Sequence, residues 1–150
     1  MTFPPKKSIG PQEQESIIQE IGMDITRSIN GAWHQISYEH SSLSGTSFGI
    51  SKVTYQNGET ERKNPPPRVM RSIRNLRYGM YQSGRGTWFS MTYKILHSGS
   101  YNIDFNYDDR PVFLFPPAPG DYADDLELFP RSPEHVPGWL QEELRKAEQG

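Results

Sequence analysis

The chain contains no cysteine. Neither a disulfide framework nor a thiolate metal site can form, and a reducing cytoplasm is the compartment that fits. Long apolar runs are missing too. Nothing approaches the roughly 18 residues that span a bilayer, and the opening M-T-F-P-P-K-K-S-I-G-P has no apolar stretch like a signal peptide's. A soluble, unprocessed, cytoplasmic protein with no membrane partner is expected. Apolar residues make up only 33% of the 150, so the core must be thin. However, 3 Trp, 8 Tyr and 7 Phe place large apolar area in few positions. The length suits a single domain.

Catalytic signatures are sparse. No G-x-S-x-G elbow is present; S-G-T-S-F-G and Q-S-G-R-G-T read as turns. Neither follows a strand and opens a helix with a lysine, as a phosphate-binding loop must. The histidines at 34, 40, 97 and 135 are scattered. His34 and His40 lie six apart, outside helical ligand spacing, and read as structural. With no nucleophile, base and oxyanion set in view, the chain is expected to be no enzyme and to need no cofactor.

What the chain does have is periodicity. Residues 1–11 hold three prolines and two lysines without any, and read as a mobile tail; 12–150 are taken as the domain. Ile17, Ile21, Ile25 and Ile29, with Ile18 beside them, recur at helical spacing until Asn30-Gly31 stops the helix. A-W-H-Q-I-S-Y-E-H then alternates His34, Ile36, Tyr38 and His40 against Trp33, Gln35, Ser37 and Glu39, a strand pattern. In the next strand, F-G-I-S-K-V-T-Y, Phe48 and Ile50 are in one phase and Val53 and Tyr55 in the other, which predicts a bulge near Ser51. N-P-P-P at 64–67 opens a second helix, with Val69, Ile73, Leu76 and Met80 on one face. Its opposite face carries Arg71, Arg74, Tyr78 and Tyr81, flanked by Arg68 and Arg77. W-F-S-M-T-Y-K-I-L and Y-N-I-D-F-N-Y pair as a hairpin across H-S-G-S.

R-P-V-F-L-F-P-P-A-P-G, with four prolines, cannot be a central strand. It reads as an ordered loop that lays Val112, Phe113, Leu114 and Phe115 on the core. Asp121 caps a short acidic helix over 122–128, and Pro137 opens a last one. The fold class expected is α+β: a four-stranded antiparallel sheet in α-β-β-α-β-β order, helices on one face, and one or two short C-terminal helices.

The stretch N-I-D-F-N-Y-D-D-R at 102–110 carries most of the functional question. Asp104-x-Asn106-x-Asp108 opens like a calcium loop, but the sixth position is Asp109 instead of glycine and the twelfth is Phe115 instead of glutamate. The alternation also makes the segment extended, so no metal is expected. A catalytic carboxylate pair lacks an identifiable partner for Asp104, although a hydrolase with an unrecognised carboxylate site stays open.

Charge is unevenly divided along the chain. Residues 1–100 hold 12 Lys+Arg against 7 Asp+Glu, and residues 101–150 hold 4 against 11. Asp104, Asn106, Asp108 and Asp109, with Asp121, Asp124, Asp125 and Glu127 after the loop, form an acidic surface suited to a basic partner. The rival is a nucleic-acid-binding module using Arg71, Arg74, Tyr78 and Tyr81 for phosphate contacts and stacking. The acidic C-terminal third weighs against it.

I-I-Q-E-I-G, W-F-S-M-T-Y-K-I leading to Y-N-I-D-F-N-Y-D-D, and D-Y-A-D-D-L-E-L-F-P-R-S-P-E-H-V-P-G-W-L-Q-E-E-L resemble the YezG-like immunity proteins of bacterial polymorphic toxin systems. The resemblance spans about 12–145, and the proline-rich loop and N-P-P-P depart from the pattern. It implies a small cytoplasmic antitoxin that silences a cognate toxin domain, commonly a nuclease, encoded next door. A nuclease must attract phosphate, so its cleft is basic and carboxylates on a rigid sheet can compete for it. The expected contacts are Asp104, Asn106, Asp108, Asp109, Asp124, Asp125 and Glu127, with Trp33, Trp88 and Tyr107 as aromatic anchors.

Overall fold

A computed structural model describes residues 8–150; the part of the expected tail that covers 1–7 lies outside them. Helix α1 (Pro11–Arg27) already begins inside the segment read as tail. Just before it, Ile9 N donates to Gly79 O at 2.9 Å. A Cβ on Gly79 would come within 2.7 Å of Ile9 Cδ1, so any larger residue there displaces the Ile9 side chain. Of the isoleucine stripe, Ile21 and Ile25 are buried in α1 with Ile18 beside them, and Ile17 is partly buried; the helix ends at Arg27, ahead of the expected Asn30-Gly31 stop, so Ile29 is buried just beyond it.

Strands β1 (Trp33–Ser42), β2 (Ser47–Tyr55), β3 (Thr60–Lys63), β4 (Ser90–Leu96) and β5 (Tyr101–Asn106) form one antiparallel sheet in the order β3-β2-β1-β4-β5. The sheet therefore has five strands, not the expected four. The extra strand, T-E-R-K, is short, wholly polar and at the edge, where nothing demands an apolar side and period-2 hydrophobicity has nothing to show.

The expected bulge at Ser51 is also corrected. Ile50 faces Glu39 and Ser51 faces Tyr38 without interruption; the ladder shifts instead between Trp33 and Gln35. Gly49, Ser51 and Val53 thus share the core side, while Phe48 and Ile50 go to the other face. Gly49 has a reason to be glycine. A Cβ there would collide with the Tyr38 hydroxyl and lie 2.9 Å from Tyr38 Cζ and 3.0 Å from His40 Nδ1.

Helix α2 (Pro67–Gly79) puts Val69, Ile73 and Leu76 into the same core as α1 and the sheet's Ile36, Tyr38, Met91, Tyr93 and Ile95. One face of the sheet is thereby covered by α1 and α2. Helices α3 (Pro119–Leu128) and α4 (Gly138–Gln149) build a second cluster, in which Tyr122 and Leu140 pack with Leu43 and Phe89. Asp121 holds the start of α3 by accepting from Ala118 N at 3.0 Å. The two clusters are tied by a buried ion pair: Arg77 Nη1 and Nη2 donate to the two carboxylate oxygens of Asp125 at 2.8 and 2.9 Å. Among the described residues, no helix is long and apolar enough to cross a membrane.

Candidate protein-docking site

Because strand side chains alternate, everything opposite the core side of β1 faces the other way. The register lays these residues in rows across the sheet. Arg62, Lys52, Ser37, Lys94 and Asn102 form one row; Ile50, Glu39, Thr92 and Asp104 the next; Phe48, Ser41, Ser90 and Asn106 the last. Solvent reaches this face: Glu39, Lys52, Arg62, Lys94, Asn102 and Asp104 are exposed on it, and Phe48 and Ile50 are partly so. Glu39 and Asp104 flank Thr92 two strand spacings apart, about 10 Å.

The loop after β5 rises beside that face. Arg110 anchors it, donating to Glu143 Oε1 at 3.2 Å and lying 5.1 Å over the Trp139 ring. Phe113 packs into the second cluster. Its neighbours do the opposite of what the sequence leads one to expect: Val112, Leu114 and Phe115 are 81%, 64% and 80% exposed instead of lying on the core. Of the four only Phe113 is partly covered, and prolines at 111, 116 and 117 restrict the backbone that would have to rearrange to bring the others in. A groove of about 430 Å³ lies between loop and sheet, with Glu39, Phe48, Ile50, Thr92, Val112 and Leu114 in its walls.

The acidic stretch has two roles. Asn106 is a structural clasp: its Oδ1 accepts from Asp108 N at 3.2 Å and Asp109 N at 2.8 Å, and its Nδ2 donates to Ser90 Oγ and Asp109 O, both at 2.9 Å. It ends β5 and turns the backbone through Asp108 and Asp109. Trp139 Nε1 fixes the same turn by donating to Asp108 O at 2.7 Å. Asp104, Asp108 and Asp109 remain exposed around it. The Asp108 charge is felt by Arg131, whose guanidinium is pulled below its usual range by burial and pushed back up by Asp108 and Asp125. Tyr107 is half-buried beneath Arg85, 5.7 Å from its ring; burial raises its phenol above the ordinary value, and Arg85 opposes that.

Other expected contact residues are distributed differently. Asp124 and Glu127 are exposed on α3, but Asp125 is buried against Arg77 and is not available to a partner. Trp88 is not a surface anchor either. It is fully buried, 5.4 Å from Phe105 and 6.3 Å from His40 between ring centres. Trp33 is half-buried, edge-on to His97 at 4.7 Å. The arginine and tyrosine face of α2 is split: Arg71 and Arg74 are exposed, whereas Tyr78 is buried edge-on against Phe129 at 4.9 Å and Tyr81 is partly covered. Among the described residues no group of three or more His, Asp or Glu could hold a metal ion.

Sequence reasoning missed Phe48, Ile50, Val112, Leu114 and Phe115 as surface residues. The signal for the first two was present, since both alternate in phase with Lys52 and Thr54. No protein-family model and no curated protein matches the chain.

Proposed function

We propose that this protein is an immunity protein: it binds a cognate toxin domain through the uncovered sheet face and the 110–115 loop, and silences it without chemistry. The observation that carries the reading is the placement of Val112, Leu114 and Phe115. Three large apolar side chains held out on a braced loop, beside a sheet face with Phe48 and Ile50 half-exposed, cost solubility and give folding nothing. Their use is contact with another macromolecule. Glu39 in the groove wall and Asp104, Asp108 and Asp109 toward the β5 side offer carboxylates to a basic partner, while Lys52, Arg62 and Lys94 on the same face supply cations for its acidic groups. A nuclease domain fits, as its cleft must attract phosphate. The resemblance of these aromatic and acidic segments to YezG-like immunity proteins supports the same assignment.

The surface suits a standard interface of about 1,600 Å², with affinity in the nanomolar class. The test is a search for a large toxin-like reading frame beside this gene, followed by co-purification and neutralisation with the C-terminal domain of that neighbour. A one-to-one complex that abolishes toxicity, and that L114S/F115S weakens, is the expected result. A variant pair that neutralises at full strength, or a neighbour that never associates, overturns the proposal.

A further inference from the structure

A second concavity is basic in character. It has a volume of about 490 Å³ and lies between the turn linking β1 to β2 and the exposed flank of α2. Ligand sites typically occupy about 300–1,000 Å³. No carboxylate is among its lining residues, which include Arg71 and Arg74. These two are three apart on a helix and therefore neighbours on one face. Neither forms an ion pair among the described residues, whereas Arg77, also in the wall, is matched by Asp125. Two unneutralised guanidinium groups side by side repel each other, and an anion bound between them removes that cost.

The opposite wall supplies neutral donors. Ser44, Thr46 and Ser47 present hydroxyls from the turn, and none makes a side-chain hydrogen bond among the described residues. His40 completes the lining and is only 3% exposed. Its Nδ1 lies 2.9 Å from Tyr38 Oη. Burial, assisted by the Arg77 charge, pushes its pKa down to about 3, so the ring is neutral near pH 7. The Tyr38 hydroxyl also reaches Met70 Sδ at 3.6 Å, so Tyr38, His40 and Met70 form one hydrogen-bonded edge of the cavity. Among the described residues the other ring nitrogen, Nε2, makes no hydrogen bond.

We propose that this cavity binds a small phosphate monoester, with Arg71 and Arg74 holding the phosphate and the hydroxyls of Ser44, Thr46 and Ser47 completing its hydrogen bonds. Planar guanidinium forks match phosphate oxygens in pairs, and a dianion balances two arginines. A nucleic-acid strand is disfavoured because Tyr78, whose ring lies 5.6 Å from the Arg74 guanidinium, is buried against Phe129 and offers no stacking platform.

The experiment titrates the full chain with adenosine 5′-monophosphate, glucose 6-phosphate, inorganic phosphate, and the parent adenosine and glucose. Amide chemical shifts and calorimetry are the readouts. The expected result is saturable binding of the two monoesters, tighter than inorganic phosphate, with shifts confined to 40–47 and 70–78. R71Q/R74Q, at exposed positions, should lower that affinity by at least about tenfold while leaving the melting temperature unchanged. Absence of saturation, equal response to the parent compounds, equal affinity for inorganic phosphate, or unchanged affinity in R71Q/R74Q overturns the proposal. So does single-stranded RNA that binds and is not displaced by either monoester. No toxin is used, so the outcome is separate from that of the docking surface.

Discussion

Arg77 and Asp125, 48 positions apart in sequence, meet as a two-pronged ion pair that joins α2 to α3. Arg77 is also held by its Nε, which donates to Trp88 O at 2.7 Å. Both side chains are almost fully buried, so each charge has exchanged water for the other. Removing one partner leaves the other buried and alone. Asp125→Ala and Arg77→Ala should each cost about 3–5 kcal/mol in urea unfolding, with a double-mutant coupling of several kcal/mol. Independent, additive losses would show that the pair does not act as a unit.

His40 makes stability depend on pH in a defined direction. Its folded pKa, about 3, lies below the ordinary 6.5, so the unfolded chain takes up a proton that the folded chain refuses. That contribution is complete above pH 6.5 and is lost progressively as pH falls toward 3. The expected slope is about 1.4 kcal/mol per pH unit within this window. Between pH 6.5 and 5 the window lies above the ordinary carboxylate range. His40→Gln should flatten that segment of the stability profile; an unchanged slope would remove His40 as its source.

The legible parts of the fold were those where one side chain pattern has one cause. The Ile17–Ile29 spacing, the alternation around Ile36 and Tyr38, and the apolar stripe of α2 all reflect a single buried side, and the structure uses them so. Strand β3 was invisible because an exposed edge strand buries nothing. The loop's exposure is not legible because Val112, Phe113, Leu114 and Phe115 look equivalent as residues, and only the packing of Phe113 into the second cluster distinguishes it from its neighbours. Arg77 looked like one more cation beside Arg71 and Arg74. Its partner is remote in sequence, so spacing could not single it out. In D-F-N-Y-D-D the acidity was visible, but the clasp made by Asn106 is a turn geometry that composition does not express.

Gly49 tests the strand assignment directly. Alanine there drives a methyl into the Tyr38 hydroxyl and toward His40. Overpacking of this kind costs about 1–3 kcal/mol. Because the nearest obstruction is the hydroxyl, adding Tyr38→Phe should recover part of the loss, measured as a double-mutant cycle in thermal or urea unfolding. If Gly49→Ala alone is neutral, β2 does not run in this register.

The proposed docking surface predicts a division between rates. Asp104 and Asp109 are exposed and act on a partner at a distance, so D104K/D109K should slow association with the toxin domain by about tenfold or more at low salt. The defect should shrink as salt is added, since exposed charges are screened beyond about 10 Å at 0.1 M. Leu114 and Phe115 act only on contact. L114S/F115S should leave association nearly unchanged and raise the dissociation rate by about 10- to 100-fold, insensitive to salt. Stopped-flow association and surface plasmon resonance dissociation separate the two. Equal effects of both pairs on association would mean that the loop shapes the free protein and does not contact the partner.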